Sequence, residues 1–184
     1  ALPYFLTVLF QNVQGLTALQ TGFAFLVPSI AIVIGTQLGE RLVRRLSMRA
    51  TLVTGMVVGA AGTALMVPGA EIGIGYLAIV PGLIVSGIGQ GIVWTGMWIA
   101  AATSVRHDEQ GVASGMASTT LSVGNSIGLA VLIALANRHL SSLEGEALTA
   151  AMAEGIQLAF WLAAVGILVS LLAAFALPAN AKAA

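Results

Sequence analysis

Residues 76–104 read YLAIVPGLIVSGIGQGIVWTGMWIAAATS, a run without a charged side chain. A helix needs about 20 mostly apolar residues to cross the hydrocarbon core of a bilayer. A single arginine at the centre of such a helix costs about 2.5–3.5 kcal/mol, so a run of this length without charge indicates a membrane-spanning helix.

The composition of the whole chain agrees with this interpretation. Of 184 residues, 58% are hydrophobic and only 8% are charged, whereas soluble domains have about 25% charged residues. The 7 basic and 7 acidic residues balance, so nothing in the charge favours nucleic acid as a partner. The sequence therefore predicts that membrane lipid surrounds the chain.

Further charge-free runs lie on both sides of the first one. Between them, polar or charged stretches mark the connections. We predict an all-α fold, a polytopic transmembrane helix bundle of six segments. The predicted spans are residues 1–12 (a partial span), 19–38, 50–67, 76–104, 112–136 and 156–177.

The first predicted segment is shorter than a span. Residues 1–10 cover only about 15 Å as a helix, and a polar patch at residues 11–15, QNVQG, follows them. We expect this first helix to be truncated, in a chain that is a fragment or the product of processing. In the second segment we expect Pro28 to kink the helix, which neighbouring helices tolerate in a membrane.

A basic stretch separates the second and third segments. Residues 40–49, ERLVRRLSMR, contain four arginines, and we predict a loop here because arginine is costly in hydrocarbon. With alternating connections, six of the seven basic residues lie on one side of the membrane. The positive-inside rule then predicts that this side and the C-terminus are cytoplasmic, in an integral protein of the cell membrane.

The fourth segment carries the most prominent candidate site. Gln90, Trp94 and Trp98 are spaced i, i+4 and i+8, so they share one helix face. One amide and two indoles could line a cavity for flat, apolar ligands, cationic ones included. The alternative is structural, with Gln90 bonded to a neighbouring helix and both tryptophans in the core or near an interface.

Hydroxyl and amide side chains on the fifth segment leave the same choice open. Ser118, Ser122 and Asn125 share a face at i, i+4 and i+7, with Thr119 beside them. They could face the same cavity, or they could bond to their own backbone or to an adjacent helix.

Glycine pairs recur at a spacing of four, and small residues allow close contact between membrane helices. We interpret them as evidence of tight helix packing. The pairs are Gly35/Gly39, Gly55/Gly59, Gly87/Gly91 and Gly124/Gly128.

The predicted spans contain no aspartate, glutamate, lysine, arginine or histidine. Proton and ion sites in membranes use such residues, so we expect any coupling group to lie outside this chain. His107 and His139 fall in connections on opposite sides, which argues against a metal site. No nucleophile–base arrangement or cofactor motif is present, because the glycines at residues 87–91 lie inside a span with no preceding strand. We therefore expect neither an enzyme nor a bound cofactor or metal.

Several stretches resemble a known family. Four stretches are similar, in order and spacing, to the major facilitator superfamily. They are residues 4–6 (YFL), residues 11–22 (QNVQGLTALQTG) with Pro28, the basic stretch at 39–49 and residues 105–115 (VRHDEQGVASG). The likeness is greatest to its drug:proton antiporter branch with fourteen spans. It implies the C-terminal half of a major-facilitator-type fold.

The chain also departs from that family's pattern. Arg44 stands where relatives often have an aspartate of the cytoplasmic gating network, and Ser47 where they have glycine. Relatives often have an asparagine, an arginine and a glutamine in place of Ser118, Leu121 and Ser122. The resemblance therefore implies a rewired gate and a reduced polar cluster.

The leading hypothesis from the sequence is the C-terminal half of a secondary active transporter, a proton-coupled antiporter that exports drugs or small metabolites by alternating access. Its partners would be the N-terminal half of the same transporter, membrane lipid and a small-molecule substrate. Candidate cavity residues are Gln11, Asn12, Gln90, Trp94, Trp98 and Asn125. The candidate cytoplasmic gating loop contains Arg41, Arg44, Arg45 and Arg49. The alternative is a non-transporting membrane scaffold or sensor subunit from a truncated transporter gene.

Overall fold

A computed structural model describes residues 1–103, 105–106, 109–138 and 144–175 of the protein. Helices are the only regular secondary structure among these residues, which confirms the predicted all-α bundle. The described part includes five helical stretches that are long and apolar enough to cross a membrane. The helices are α1 (Leu2–Val8), α2 (Ala18–Ala24), α3 (Leu26–Arg45), α4 (Met48–Leu65), α5 (Val80–Thr103), α6 (Gln110–Ala136) and α7 (Gly145–Phe175).

Three short helical turns complete the path. A π-helical turn, Leu9–Val13, continues α1, and the 3-10 turns Pro68–Ala70 and Tyr76–Ala78 connect α4 to α5. Residues 104, 107–108, 139–143 and 176–184 lie outside the described residues, so the predictions for His107, His139, Lys182 and the ends of the spans at 104 and 177 fall there.

Helices α2 and α3 form one span with a break at Phe25. The span starts at a capping box, in which the Thr17 hydroxyl accepts from the backbone N–H of Gln20 and the Gln20 side chain accepts from the N–H of Thr17. Pro28 lies in the first turn of α3, where a missing N–H is tolerated. The helix therefore breaks three residues before the proline, rather than bending at Pro28 itself.

The basic stretch at residues 40–49 is helical, so its prediction as a loop was wrong. Helix α3 continues to Arg45, and α4 begins at Met48 after a link of Leu46 and Ser47. The hydroxyl of Ser47 accepts a 3.2 Å hydrogen bond from the N–H of Ala50 and caps α4. The four arginines thus lie on helix ends rather than in a loop.

Helix α7 is longer than the predicted span at 156–177. It begins at Gly145, whose φ of 62° suits glycine, and runs for 31 residues, about 46 Å against a hydrocarbon thickness of about 30 Å. Glu146 and Glu154 therefore lie on its first turns, in the polar stretch that the sequence predicted to connect the fifth and sixth spans.

Helix α5 is packed between α3 and α4 through glycines on two of its faces. A methyl group added at Gly87 or Gly91 would overlap α3, at Ala31 and at the carbonyl of Ile32 respectively. On the opposite face, Gly82, Gly89 and Gly96 recur every seven residues and approach α4. Gly35 and Gly39 of α3 and Gly55 and Gly59 of α4 are the buried partners. The predicted close packing through these three glycine pairs agrees with the structure.

The fourth glycine pair does not take part in packing within the described residues. A methyl group at Gly124 or Gly128 of α6 would meet nothing within 4 Å. Ala136 is the one buried residue of α6. The prediction of tight packing at this pair was wrong for the described bundle.

Two apolar clusters hold the ends of the bundle together. The larger one joins α1 and its π-helical turn to the 3-10 turns, α5 and α7, and Phe10 and Phe160 are completely buried at its centre. The smaller one comprises Val43, Met48 and Leu52, where α3 meets α4. A cavity lies in the bundle between them.

Candidate functional site

A cavity of about 450 Å³ is lined by five helices of the bundle, α1, α3, α4, α5 and α7, with Leu121 added from α6. Its walls are mostly apolar, and no charged residue from the described part of the chain lines it. Apolar lining side chains include Leu2, Leu6, Phe25, Ile32, Met56, Met66, Leu83, Val93 and Met97. The size and character fit a small organic molecule.

Two of the three predicted residues on α5 line this cavity. Gln90 and Trp94 lie along it, whereas Trp98 does not. The rings of Trp94 and Trp98 meet edge to face, with centroids 6.1 Å apart and planes at 66°. Trp98 therefore supports Trp94 from the next turn.

The hydroxyl groups along the cavity bond to their own helices. Ser29 donates to the carbonyl of Phe25 at 2.7 Å, and Thr63 donates to the carbonyl of Gly59 at 2.8 Å. Ser86 and Ser170 donate to backbone carbonyls three residues earlier. Each hydroxyl proton therefore has a hydrogen-bond partner within its own helix, and the hydroxyls can lie in an apolar wall at little cost in free energy.

A second, more open cavity of about 560 Å³ lies between α5 and α6. Asn125 lines it, together with Ala117, Thr120 and Gly124. Met97 and Leu121 line both cavities, and hence separate them. Ser118 and Ser122 line neither cavity, and Thr119 bonds to the carbonyl of Gly115, so the structure does not unite this face with Gln90.

Gln11 and Asn12 lie in the π-helical turn after α1, both exposed, and line neither cavity. The inward-facing member of that polar patch is Gln14, whose side-chain amide donates to the carbonyl of Ile74 at 3.3 Å. Its buried side-chain oxygen has no partner among the described residues. Gln14 therefore fastens the turn to the α4–α5 connection rather than forming a ligand wall.

The four predicted gating arginines lie on helix ends. Arg41, Arg44 and Arg45 belong to the last turns of α3, and Arg49 to the first turn of α4. Arg44 forms a 3.4 Å ion pair with Glu40 one turn earlier, with both side chains largely exposed. An exposed pair of this kind contributes little to stability, and none of these arginines lines the cavity.

Several cavity residues had no signal in the sequence. Met56, Leu121 and Ser170 come from three different helices and meet only through the bundle's tertiary packing. The Gly55/Gly59 pair was an indirect signal of the cavity, because glycines on α4 leave room beside α5. Both glycines line the cavity. Within the described residues, no three His, Cys, Asp or Glu side chains come together in a way that could hold a metal.

The helix bundle and its apolar interior define an integral membrane protein whose bundle contains a cavity of small-molecule size. The sequence model of the Major Facilitator Superfamily matches residues 1–129, and the chain belongs to this family.

Characterised relatives carry transport-related names. The chain is 29% identical to the cephamycin export protein CmcT of Amycolatopsis lactamdurans over 94% of its length and 36% of that protein's. It is 25% identical to the multidrug transporter protein MdtP of Bacillus subtilis (77% of this chain, 25% of the relative). It is 34% identical to the multidrug resistance protein Stp of Mycobacterium tuberculosis (68% and 23%). The chain thus spans about a quarter to a third of the length of these relatives.

Proposed function

We propose that this chain forms the C-terminal half of a secondary transporter that exports drugs or small metabolites. The observation that carries the proposal is the cavity, in which Gln90 and Trp94 line a mostly apolar space within the bundle. The names of the relatives, a cephamycin exporter and multidrug transporters, support export as the direction. Family membership supports alternating access, in which two bundles move about a central site.

The proposal includes a partner bundle and a coupling ion. Helix α6 exposes Val112, Met116, Val123 and Ile127, and an apolar helix face of this kind is covered by lipid or by another bundle. No charged group among the described residues lines the cavity, and the proposal therefore assigns the ionisable residue for proton coupling to the N-terminal half. In this arrangement the arginines at the ends of α3 and α4 help to close the cytoplasmic side.

The proposed orientation places the α3–α4 junction in the cytoplasm of the cell. Arg41, Arg44, Arg45 and Arg49 cluster there, and Arg106 lies at the connection between α5 and α6 on the same side. The α4–α5 connection on the other side contains Glu71 and no basic residue. This asymmetry is what the positive-inside rule describes.

A drug-accumulation assay tests the proposal. The whole reading frame is expressed in an efflux-deficient bacterial host, and accumulation of fluorescent dyes and antibiotics is measured. We expect lower accumulation than in cells without the gene. Trp94→Leu should reverse most of that decrease, because Trp94 lines the cavity, whereas Trp161→Leu should not, because Trp161 is exposed on α7 outside it.

Protein amount in the membrane is measured for every variant. Unchanged accumulation over a broad compound panel, with normal amounts of protein, would contradict export. That result would favour a non-transporting scaffold or sensor.

A further inference from the structure

The hydrogen-bonding capacity of the main cavity is concentrated at one side chain. The hydroxyl protons of Ser29, Thr63, Ser86 and Ser170 all bond to backbone carbonyls. Gln90, in contrast, has no hydrogen-bond partner among the described residues. A primary amide offers two donors and an acceptor, so Gln90 is the group that can exchange paired hydrogen bonds with a ligand.

Flat apolar area lies next to that amide. Trp94 is one helical turn after Gln90, lines the same cavity and is 46% exposed. Its edge-to-face contact with Trp98 holds the indole in place, and an aromatic side chain of this kind can pair with another ring. Met56, Met66 and Met97 also line the cavity, and methionine adapts to ligands of differing shape.

A charged ligand meets no counter-charge on this wall. Among the residues that the structure describes, none that lines this wall is ionisable, and the wall is mostly apolar. Moving an unpaired charge from water into such surroundings is strongly unfavourable. Attraction between a cation and the indole of Trp94 offsets only part of this cost.

We propose that this wall binds uncharged ligands that combine a flat ring with an amide, or with a similar neighbouring donor and acceptor. The ring lies against Trp94, and the amide pairs with the side chain of Gln90. The inference rests on the proposed function in taking this cavity as the ligand site of the protein. It adds the class of ligand, and it selects against cations and anions with the same ring.

Three naphthalene derivatives test the preference for uncharged ligands. They are 2-naphthamide, trimethyl-2-naphthylammonium and 2-naphthoate, which share a ring and differ in charge. The protein of the whole reading frame is placed in lipid nanodiscs, and binding of each compound is measured by equilibrium dialysis against empty nanodiscs. We expect the amide to bind at least about tenfold more tightly than either ion.

Two glutamine variants test the role of Gln90. Gln90→Leu keeps a similar side-chain length and should weaken 2-naphthamide binding about fivefold, the effect of losing one or two hydrogen bonds. The affinity of the Gln90→Leu protein for unsubstituted naphthalene should not change. Gln37→Leu is the matched control, because Gln37 is exposed on α3 and does not line the cavity.

The outcomes separate this inference from the proposed function. Equal or tighter binding of either ion, no binding of any probe, or an unchanged amide affinity in Gln90→Leu would overturn the inference, even in a protein that exports drugs. Selective amide binding by a protein that exports nothing would support the inference and contradict the transport proposal.

Discussion

The hydroxyl of Tyr76 donates a 2.8 Å hydrogen bond to the carbonyl of Ala24. Ala24 lies four residues before Pro28, which has no N–H to offer that carbonyl. The connection between α4 and α5 therefore supplies the donor that the broken helix lacks. Phe10 reinforces the junction, with edge-to-face ring contacts to Tyr76 and to Phe25.

Tyr76→Phe should lower the free energy of unfolding by about 1 kcal/mol, because it leaves the carbonyl of Ala24 without its donor. Thermal unfolding in a fixed detergent, followed by circular dichroism, measures the loss. In a Pro28→Ala background the backbone N–H of residue 28 can replace the hydroxyl, so the same change at Tyr76 should cost clearly less. Equal losses in the two backgrounds would contradict this account.

The same hydroxyl predicts a loss of stability at high pH. Burial raises the pKa of Tyr76 above its ordinary value, since the phenolate is poorly solvated in the fold. The neutral phenol therefore stabilises the folded state, and this contribution is fully present below the unfolded pKa of about 10. It is lost as the pH rises through the higher pKa of the folded state. Stability measured between about pH 8 and about pH 11 should fall further in the native protein than in Tyr76→Phe. Parallel curves would exclude the effect.

Close glycine contacts should make the interface between α4 and α5 intolerant of small substitutions. A methyl group at Gly62 would overlap the backbone of Ser86, and one at Gly89 would overlap the backbone of Gly59. Each change to alanine should destabilise the bundle by about 1–3 kcal/mol, as overpacking does. Gly166→Ala on α7 is the control, because it meets nothing within 4 Å. A similar loss at all three positions would indicate an effect unrelated to packing.

The helical bundle could be predicted from the sequence because burial in lipid depends on composition. Runs without charge mark spans regardless of how the helices meet. The shared face of Gln90 and Trp94 followed from spacing alone, and the structure places both on one cavity. The other walls could not be predicted, since Met56 and Ser170 approach that face only through packing of α4 and α7 against α5.

The ends of helices were the least predictable feature, for a physical reason. Arginine is excluded from hydrocarbon, but it is a good helix former, and at the C-terminus of α3 it interacts favourably with the helix dipole. Arg44 and Arg45 are therefore helical, although arginine is excluded from hydrocarbon. The helix ends where Leu46 becomes extended and Ser47 caps the next helix.

The chain contains no cysteine, so a single cysteine introduced into it can report the orientation of the bundle once any cysteine elsewhere in the whole protein is replaced by serine. Leu46, between α3 and α4, and Ile72, between α4 and α5, are both exposed and lie at opposite ends of α4. If the arginine-rich junction is cytoplasmic, a membrane-impermeant maleimide applied to intact cells should label Ile72→Cys and spare Leu46→Cys. In inside-out vesicles the pattern should reverse, and detergent should make both sites reactive, which controls for local access. Labelling of Leu46→Cys in intact cells would contradict the proposed orientation and, with it, a cytoplasmic role for the arginines of α3 and α4.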